Sequence, residues 1–139
     1  MASKLRVSSY KCRGLPKNSS ILHTKPEIVD LFNNCDILCV QETWLAKQEL
    51  EIGNSLHEDF LAASVAKVDL AKGILQGRPH GGVSIFYNRR LAKYVTPVYF
   101  PNCDWYVGIK VIFVVLVLPY LMYIYHMNVL IMRMNILKN

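Results

Sequence analysis

The apolar residues Ile37–Val40 form a short, uninterrupted run that is too short for a helix. Such a run predicts a buried strand with neighbouring strands in a sheet that is covered on both faces. Gln41 and Glu42 end the run abruptly. A carboxylate just past the carboxyl end of a buried strand lies at the rim of the sheet, where open α/β sheets bind ligands. Glu42 is therefore a candidate functional residue, and a solvated glutamate at a strand end is the ordinary alternative.

A strand and a helix signal precede this run. Polar and apolar residues alternate over Lys4–Tyr10, which predicts a first strand. Thr24 can cap a helix, Pro26 is tolerated in its first turn, and Glu27 completes a capping box. Apolar residues then recur at helical spacing at Ile28, Leu31 and Phe32. The order strand, helix, strand predicts a parallel pair with a right-handed crossover.

Further strands are predicted after a polar loop over residues 46–59 that contains a helical turn. The segments with strand patterns are Phe60–Val68, Gly81–Asn88, Ala92–Phe100 and Trp105–Val111. We expect Ala92–Phe100 to pair back on the strand before it. The whole pattern predicts the α/β class.

The last part of the chain is unusually apolar, since Val111–Met132 contains no Asp, Glu, Lys or Arg. Length and hydropathy alone make this segment a candidate membrane helix. Pro119 lies inside it, however, and its first half is rich in Val and Ile, which favours a strand. Three alternatives remain open: a strand with a disordered or misread end, a membrane helix, and an interfacial helix.

The charge distribution points to a polyanionic partner. The 139-residue chain carries a formal charge of +6. The stretch from Lys4 to Lys25 contains no acidic residue. Its basic residues are Lys4, Arg6, Lys11, Arg13, Lys17 and Lys25. Such a surplus suits nucleic acid or phosphate, and a merely basic surface is an equally good explanation.

The cysteines indicate a reducing compartment. The four residues, Cys12, Cys35, Cys39 and Cys103, have neither a paired disulfide framework nor the double spacing of a zinc site. The first ten residues carry charges and lack the apolar core of a signal peptide. We therefore expect an intracellular protein, nuclear or cytoplasmic, with membrane association as the alternative offered by the apolar segment.

Three segments in order resemble the endonuclease/exonuclease/phosphatase superfamily, and in particular the apurinic-like endonuclease domain of non-LTR retrotransposons. The segments are Ser9–Leu15 (SYKCRGL), Asp36–Leu45 (DILCVQETWL) and Gly77–Tyr87 (GRPHGGVSIFY). The resemblance covers residues 5 to 120 and matches the amino-terminal half of that domain. It implies the corresponding part of a two-sheet α/β sandwich with helices outside.

The same resemblance implies hydrolysis of nucleic-acid phosphodiesters with Mg²⁺ or Mn²⁺, and it makes Glu42 the metal-binding carboxylate. A hard dication takes oxygen ligands and needs few protein carboxylates. Gly81 and Gly82 would let the backbone approach a nucleic-acid strand. Arg13, Arg78 and His80 would contact phosphates, and each is equally well an ordinary loop residue.

This chain departs from the family at the first motif, where Lys11 stands in place of an asparagine that orients the site. An ammonium there would repel a dication by up to about 8 kcal/mol at about 4 Å and an effective dielectric constant of about 20. The later Asp-x-Asn and Asp-His pairs of the family have no counterpart in the sequence. Residues 4–120 are thus expected to form a partial domain, followed by an apolar tail over 121–139.

Three functions follow as expectations. The first is a fragment of a divalent-metal-dependent endonuclease that is catalytically incomplete. The second is a non-catalytic module that binds nucleic acid through its basic residues. The third is a small membrane-associated protein anchored through residues 111–132.

Overall fold

The computed structural model describes residues 5–73, 80–104, 106–116 and 122–133. The strands are β1 Val7–Lys11, β2 Ile37–Gln41, β3 Phe60–Val65, β4 Val83–Asn88, β5 Val95–Tyr99, β6 Tyr106–Leu116 and β7 Met122–Arg133. The α-helices are α1 Ser19–Leu22, α2 Pro26–Asn34 and α3 Ile52–Ser55. Short 3₁₀ helices cover Lys47–Glu49, Leu70–Lys72 and Arg89–Tyr94.

The strands form two sheets, which confirms the predicted α/β class with two sheets. The first sheet has the order β1-β2-β4-β3, and β1 and β2 are parallel while the other neighbours are antiparallel. The second is antiparallel, with the order β5-β6-β7. The parallel pairing of β1 with β2, joined through α1 and α2, is the one that the strand–helix–strand pattern predicts.

Strand β2 is covered on both faces, as its apolar run predicts. Ile37 and Cys39 face a core that includes Val107 and Ile109 of β6. Leu38 and Val40 face the other core, which contains residues of the helices α1 and α2: Leu22, Ile28 and Phe32. Alternate side chains of a strand point to opposite faces of its sheet, so a strand in this position needs an apolar residue at every position.

Two predictions about local structure are wrong. Residues 92–94 are 3₁₀ rather than strand, and β5 pairs with β6 in the second sheet instead of returning to β4. Helix α2 has Lys25 at its N-cap, and the Thr24 hydroxyl donates to the Ile21 carbonyl oxygen at 2.6 Å. Thr24 therefore closes α1 locally and forms no capping box with Glu27.

Strand β3 ends at Val65, so the predicted strand over Phe60–Val68 is shorter than expected, and Val68 makes only an isolated bridge to Ala46.

In the apolar segment, β6 continues to Leu116, and residues 122–133 form β7 and pair with β6. Among the described residues, no helix is both long enough and apolar enough to cross a membrane. The expected domain boundary at residue 120 lies outside the described residues.

Candidate functional site

The segment that follows β1 runs beside the end of β2. Three backbone hydrogen bonds join them: Cys12 N to Gln41 O at 3.0 Å, Gly14 N to Glu42 O at 2.9 Å and Leu15 N to Thr43 O at 2.9 Å. The parallel pairing of β1 and β2 is thus extended past both strand ends. It holds the loop that begins at Lys11 against Glu42, so the first two motifs share one edge of the sheet.

The glycine pair that precedes β4 joins the same edge. Thr43 N donates to Gly82 O at 3.2 Å, and Trp44 N donates to Gly81 O at 2.9 Å. A Cβ atom built on Gly82 would overlap Thr43 Oγ1, and Gly82 has φ +86°. Both the close approach and the backbone conformation require glycine here. The glycines therefore serve the packing of the chain on itself.

Three residues other than glycine have positive φ at this edge: Arg13 at +49°, Glu42 at +54° and Trp44 at +56°. Such angles cost roughly 1–2 kcal/mol each for residues with a side chain. The Trp44 ring covers Gly14 so closely that a Cβ on Gly14 would lie 2.9 Å from Trp44 Cε3. The backbone hydrogen bonds and this packing fix a conformation that the local sequence alone would disfavour.

Lys11 and Glu42 form an ion pair, with Lys11 Nζ 3.2 Å from Glu42 Oε1. The lysine side chain is 47% exposed and the glutamate side chain 31% exposed, so water reaches both partners. The lysine that stands at the first motif thus occupies the carboxylate's coordination space with its own ammonium. An exposed pair of this kind contributes only about 0–1 kcal/mol to folding.

The residues at this edge do not fit a divalent cation. Within residues 5–73, 80–104, 106–116 and 122–133, no group of three or more His, Cys, Asp or Glu side chains lies close enough to hold a metal ion. Glu42 is a single carboxylate, and its oxygen already faces an ammonium that would repel a dication. Because Mg²⁺ needs few protein carboxylates, the ammonium of Lys11, rather than the number of ligands, is what argues against a dication at this edge.

Cys12 also belongs to this edge, and sequence reasoning had assigned it no role there. Its Sγ donates to the Glu42 carbonyl oxygen at 3.2 Å. Burial raises the pKa of the Cys12 thiol to about 11, and the negative charge of Glu42 contributes to the rise. The raised pKa disfavours the reactive thiolate, and the contact that Cys12 makes here is its hydrogen bond to the backbone of Glu42.

The remaining predicted contact residues divide into three cases. Gly81 and Gly82 bond to the segment after Glu42, as described above. Arg13 and His80 are exposed. Arg78 lies outside the described residues. Lys11, Arg13, Glu42 and the glycine pair are therefore brought to one edge of the sheet by backbone hydrogen bonds.

Ion pairs within the chain use part of the amino-terminal positive charge. Lys17 pairs with Glu49 at 2.5 Å, and Arg6 pairs with Asp36 at 3.4 Å. Arg13 and Lys25 form no ion pair with the part of the chain that the structure describes. The basic stretch thus leaves these two cations for an external partner, together with Lys11, whose own side chain is 47% exposed.

A second charged cluster, which sequence reasoning missed, lies at the opposite end of β2. Asp36 is 4% exposed and receives Arg6 Nη2 and Arg90 Nη2 on the same oxygen, Oδ1, while the Arg6 backbone N–H donates to Oδ2 at 2.7 Å. Burial raises the pKa of the Asp36 carboxyl, but these hydrogen bonds and the two guanidinium charges outweigh it, and the pKa is lowered. A cavity of about 190 Å³ lies beside the cluster, with Phe32 and His57 in its lining.

The Asp36 cluster ties together segments that are remote in sequence. The Asp36 backbone N–H donates to the Arg6 carbonyl at 2.8 Å, and Asn88 N donates to the Asp36 carbonyl at 3.0 Å. Asp36 therefore fixes the starts of β1 and β2 relative to the end of β4. Although Asp36 begins the second motif segment, the sequence does not reveal the cluster, because its two arginine partners lie 30 and 54 residues away.

Comparison with protein-family models and with curated proteins found no match to this chain.

Proposed function

We propose that this chain is a catalytically incomplete fragment of a divalent-metal-dependent endonuclease of the endonuclease/exonuclease/phosphatase type, and that it binds nucleic acid without cleaving it. The observation that carries the proposal is the convergence of the three motif segments at one edge of the first sheet, around a carboxylate paired with Lys11. The two packed sheets with helices on the outer face of the first support the proposal, because the resemblance implies part of a two-sheet α/β sandwich.

The loss of cleavage rests on charge. Phosphodiester hydrolysis by a metal nuclease needs a dication that polarises the phosphate and stabilises the leaving oxygen. Glu42 is the carboxylate that would hold it, and the ammonium 3.2 Å away takes its place. No step through a metal follows from these residues.

Binding to nucleic acid rests on the cations that remain. Arg13 follows Lys11 closely in the same loop and is exposed, and Lys25, at the start of α2, has no ion pair with the described residues. Contacts of this kind to phosphates give affinity that falls as salt rises, because bound counterions are released. This behaviour separates binding to the phosphate backbone from apolar association.

Two assays test the proposal. Supercoiled plasmid incubated with the purified chain and Mg²⁺ or Mn²⁺ is expected to show no nicking above background. Filter binding of a labelled DNA duplex over a salt series is expected to show an affinity that declines with a log–log slope of about −2 to −3, from two or three phosphate contacts. Nicking that disappears in Glu42→Ala would contradict the loss of cleavage, and an affinity independent of salt would contradict binding through phosphates.

A further inference from the structure

The edge of the sheet around Glu42 carries more positive than negative charge. Lys11 contacts the carboxylate directly. The charges of Lys25 and of Glu42 both act on the Cys12 thiol, so both lie within electrostatic range of it. Arg13 is exposed in the same loop. One carboxylate at this edge thus has Lys11 in contact with it, and Arg13 and Lys25 belong to the loop and the helix start nearby, so the local surplus of positive charge favours a bound anion.

The pair of Lys11 and Glu42 is open to exchange of partners. Both side chains are accessible to water, and an exposed ion pair is weak. Lysine carries three donors on a flexible stem and binds phosphate as a point charge. Its ammonium can therefore turn from Glu42 to an oxyanion at the same edge.

Glu42, by contrast, has a fixed backbone. Its carbonyl oxygen accepts from Gly14 N at 2.9 Å and from Cys12 Sγ at 3.2 Å, and the residue has φ +54°. The side chain of Glu42 therefore starts from a fixed point at this edge, from which its carboxylate reaches Lys11. It competes with the oxyanion for Lys11 and repels it.

From these contacts we infer that Glu42 is an internal competitor at a metal-independent oxyanion site, in which a phosphate group of the bound nucleic acid takes the Lys11 ammonium from the carboxylate. The inference rests on the proposed binding of nucleic acid for its biological ligand. It reverses the role that a metal nuclease would give to Glu42: removing the carboxylate should strengthen binding of phosphate, whereas removing a metal ligand should weaken it.

The test measures binding of a labelled DNA duplex to the wild type, Glu42→Gln, Lys11→Gln and the double variant, without divalent metal and over a salt series. We expect Glu42→Gln to bind about 1.5- to 5-fold more tightly, the range expected for release of one exposed ion pair. Lys11→Gln should bind more weakly and lower the magnitude of the salt slope by about 1. In the double variant the gain from Glu42→Gln should be smaller than in the wild-type background, because the lysine that it frees is gone and only the relief of repulsion remains.

Asp104→Asn is the matched control, since it makes the same change in net charge and frees Lys47, whose Nζ lies 3.0 Å from Asp104 Oδ2. A second probe, inorganic pyrophosphate, is followed through the amide NMR signals of Gly14 and Gly82, which lie beside Glu42 and Thr43. Thermal melts of each variant establish that it is folded at the temperature of the assay.

The outcomes separate the two proposals. DNA binding that is unchanged or weaker in Glu42→Gln, or equally strengthened in Asp104→Asn, would overturn the competitor role and leave nucleic-acid binding standing. Pyrophosphate shifts that grow in Glu42→Gln, without DNA binding by the wild type, would support the oxyanion site and overturn the nucleic-acid function. If the wild type shows no DNA binding and none of the proteins shows pyrophosphate shifts, both proposals are overturned.

Discussion

Gly82 lies so close to Thr43 that a Cβ atom on the glycine would overlap the threonine Oγ1. The contact is locked by the hydrogen bond from Thr43 N to Gly82 O at 3.2 Å. It joins the start of β4 to the segment that carries Glu42, so the geometry of the site depends on the absence of a side chain at residue 82.

Gly82→Ala should therefore destabilise the protein by about 2–4 kcal/mol, the sum of a positive-φ penalty and an overlap in a packed region. Urea unfolding measures the change. Gly73→Ala is the control, because Gly73 also has positive φ but a Cβ there would meet nothing within 4 Å. A larger loss in the control than in Gly82→Ala would contradict the role of the contact, and Thr43→Ala in the Gly82→Ala background should recover part of the loss.

Val40→Asp should abolish cooperative folding, because Val40 is 1% exposed in the core between the first sheet and the helices. A carboxylate without a partner in that core costs several kcal/mol, a large share of the stability of a small domain. Circular dichroism during heating measures the effect. Val7→Asp is the matched control, since Val7 is 46% exposed on the neighbouring strand. This variant should have a melting temperature near that of the wild type. A cooperative melt of Val40→Asp would contradict the burial of β2 in the core.

Asp36→Asn should lower stability at neutral pH by about 1–2 kcal/mol, since two arginines and a backbone N–H lose a charged acceptor. The folded-state pKa of Asp36 lies below the ordinary value of 3.8. Its contribution is therefore complete above the ordinary pKa and disappears as pH falls through the folded-state value.

The difference in unfolding free energy between wild type and Asp36→Asn should accordingly be constant from about pH 5 to pH 7 and shrink towards about pH 2. Urea titrations at these pH values measure it. Asp30→Asn, at an exposed carboxylate, should show a much smaller difference at every pH. A difference that grows on acidification would show that the cluster raises the pKa instead.

Thiol labelling should distinguish Cys103 from the other three cysteines. Burial raises the pKa of Cys12, Cys35 and Cys39 to about 11. About 0.1% of such a thiol is ionised at pH 8, and the thiolate is the reactive form. With a chromogenic disulfide at pH 8 we expect one fast phase, lost in Cys103→Ser, and four equivalents in denaturant. Two or more fast equivalents in the folded wild type would contradict the burial of these thiols.

The sequence predicted the parts of the fold that depend on local patterns. The continuous apolar run of Ile37–Val40 identified β2, and the strand–helix–strand order identified its parallel partner. In the structure this parallel pairing places Glu42 beside the loop from Lys11, because the ends of a parallel pair meet at one edge of the sheet.

Relations between distant segments could not be predicted in the same way. Strand β5 pairs with β6 in the second sheet and not with β4. The alternation of residues along a strand determines which face each side chain takes but does not determine the partner strand. The Asp36 cluster depends on arginines remote in sequence. At the site, the sequence indicated a repulsion between Lys11 and a metal, and the structure adds the direct pair with Glu42.

The ion pair between Lys11 and Glu42 is the basis of the whole functional account, and a titration of Mn²⁺ followed by electron paramagnetic resonance tests it most directly. Bound Mn²⁺ loses the signal of the free ion, so the method counts occupied sites without requiring activity. Because the Lys11 ammonium lies 3.2 Å from Glu42 Oε1 and repels a dication there, we predict that wild type and Glu42→Ala give the same free-ion signal up to millimolar Mn²⁺. One equivalent of Mn²⁺ bound by the wild type and lost in Glu42→Ala would contradict the account.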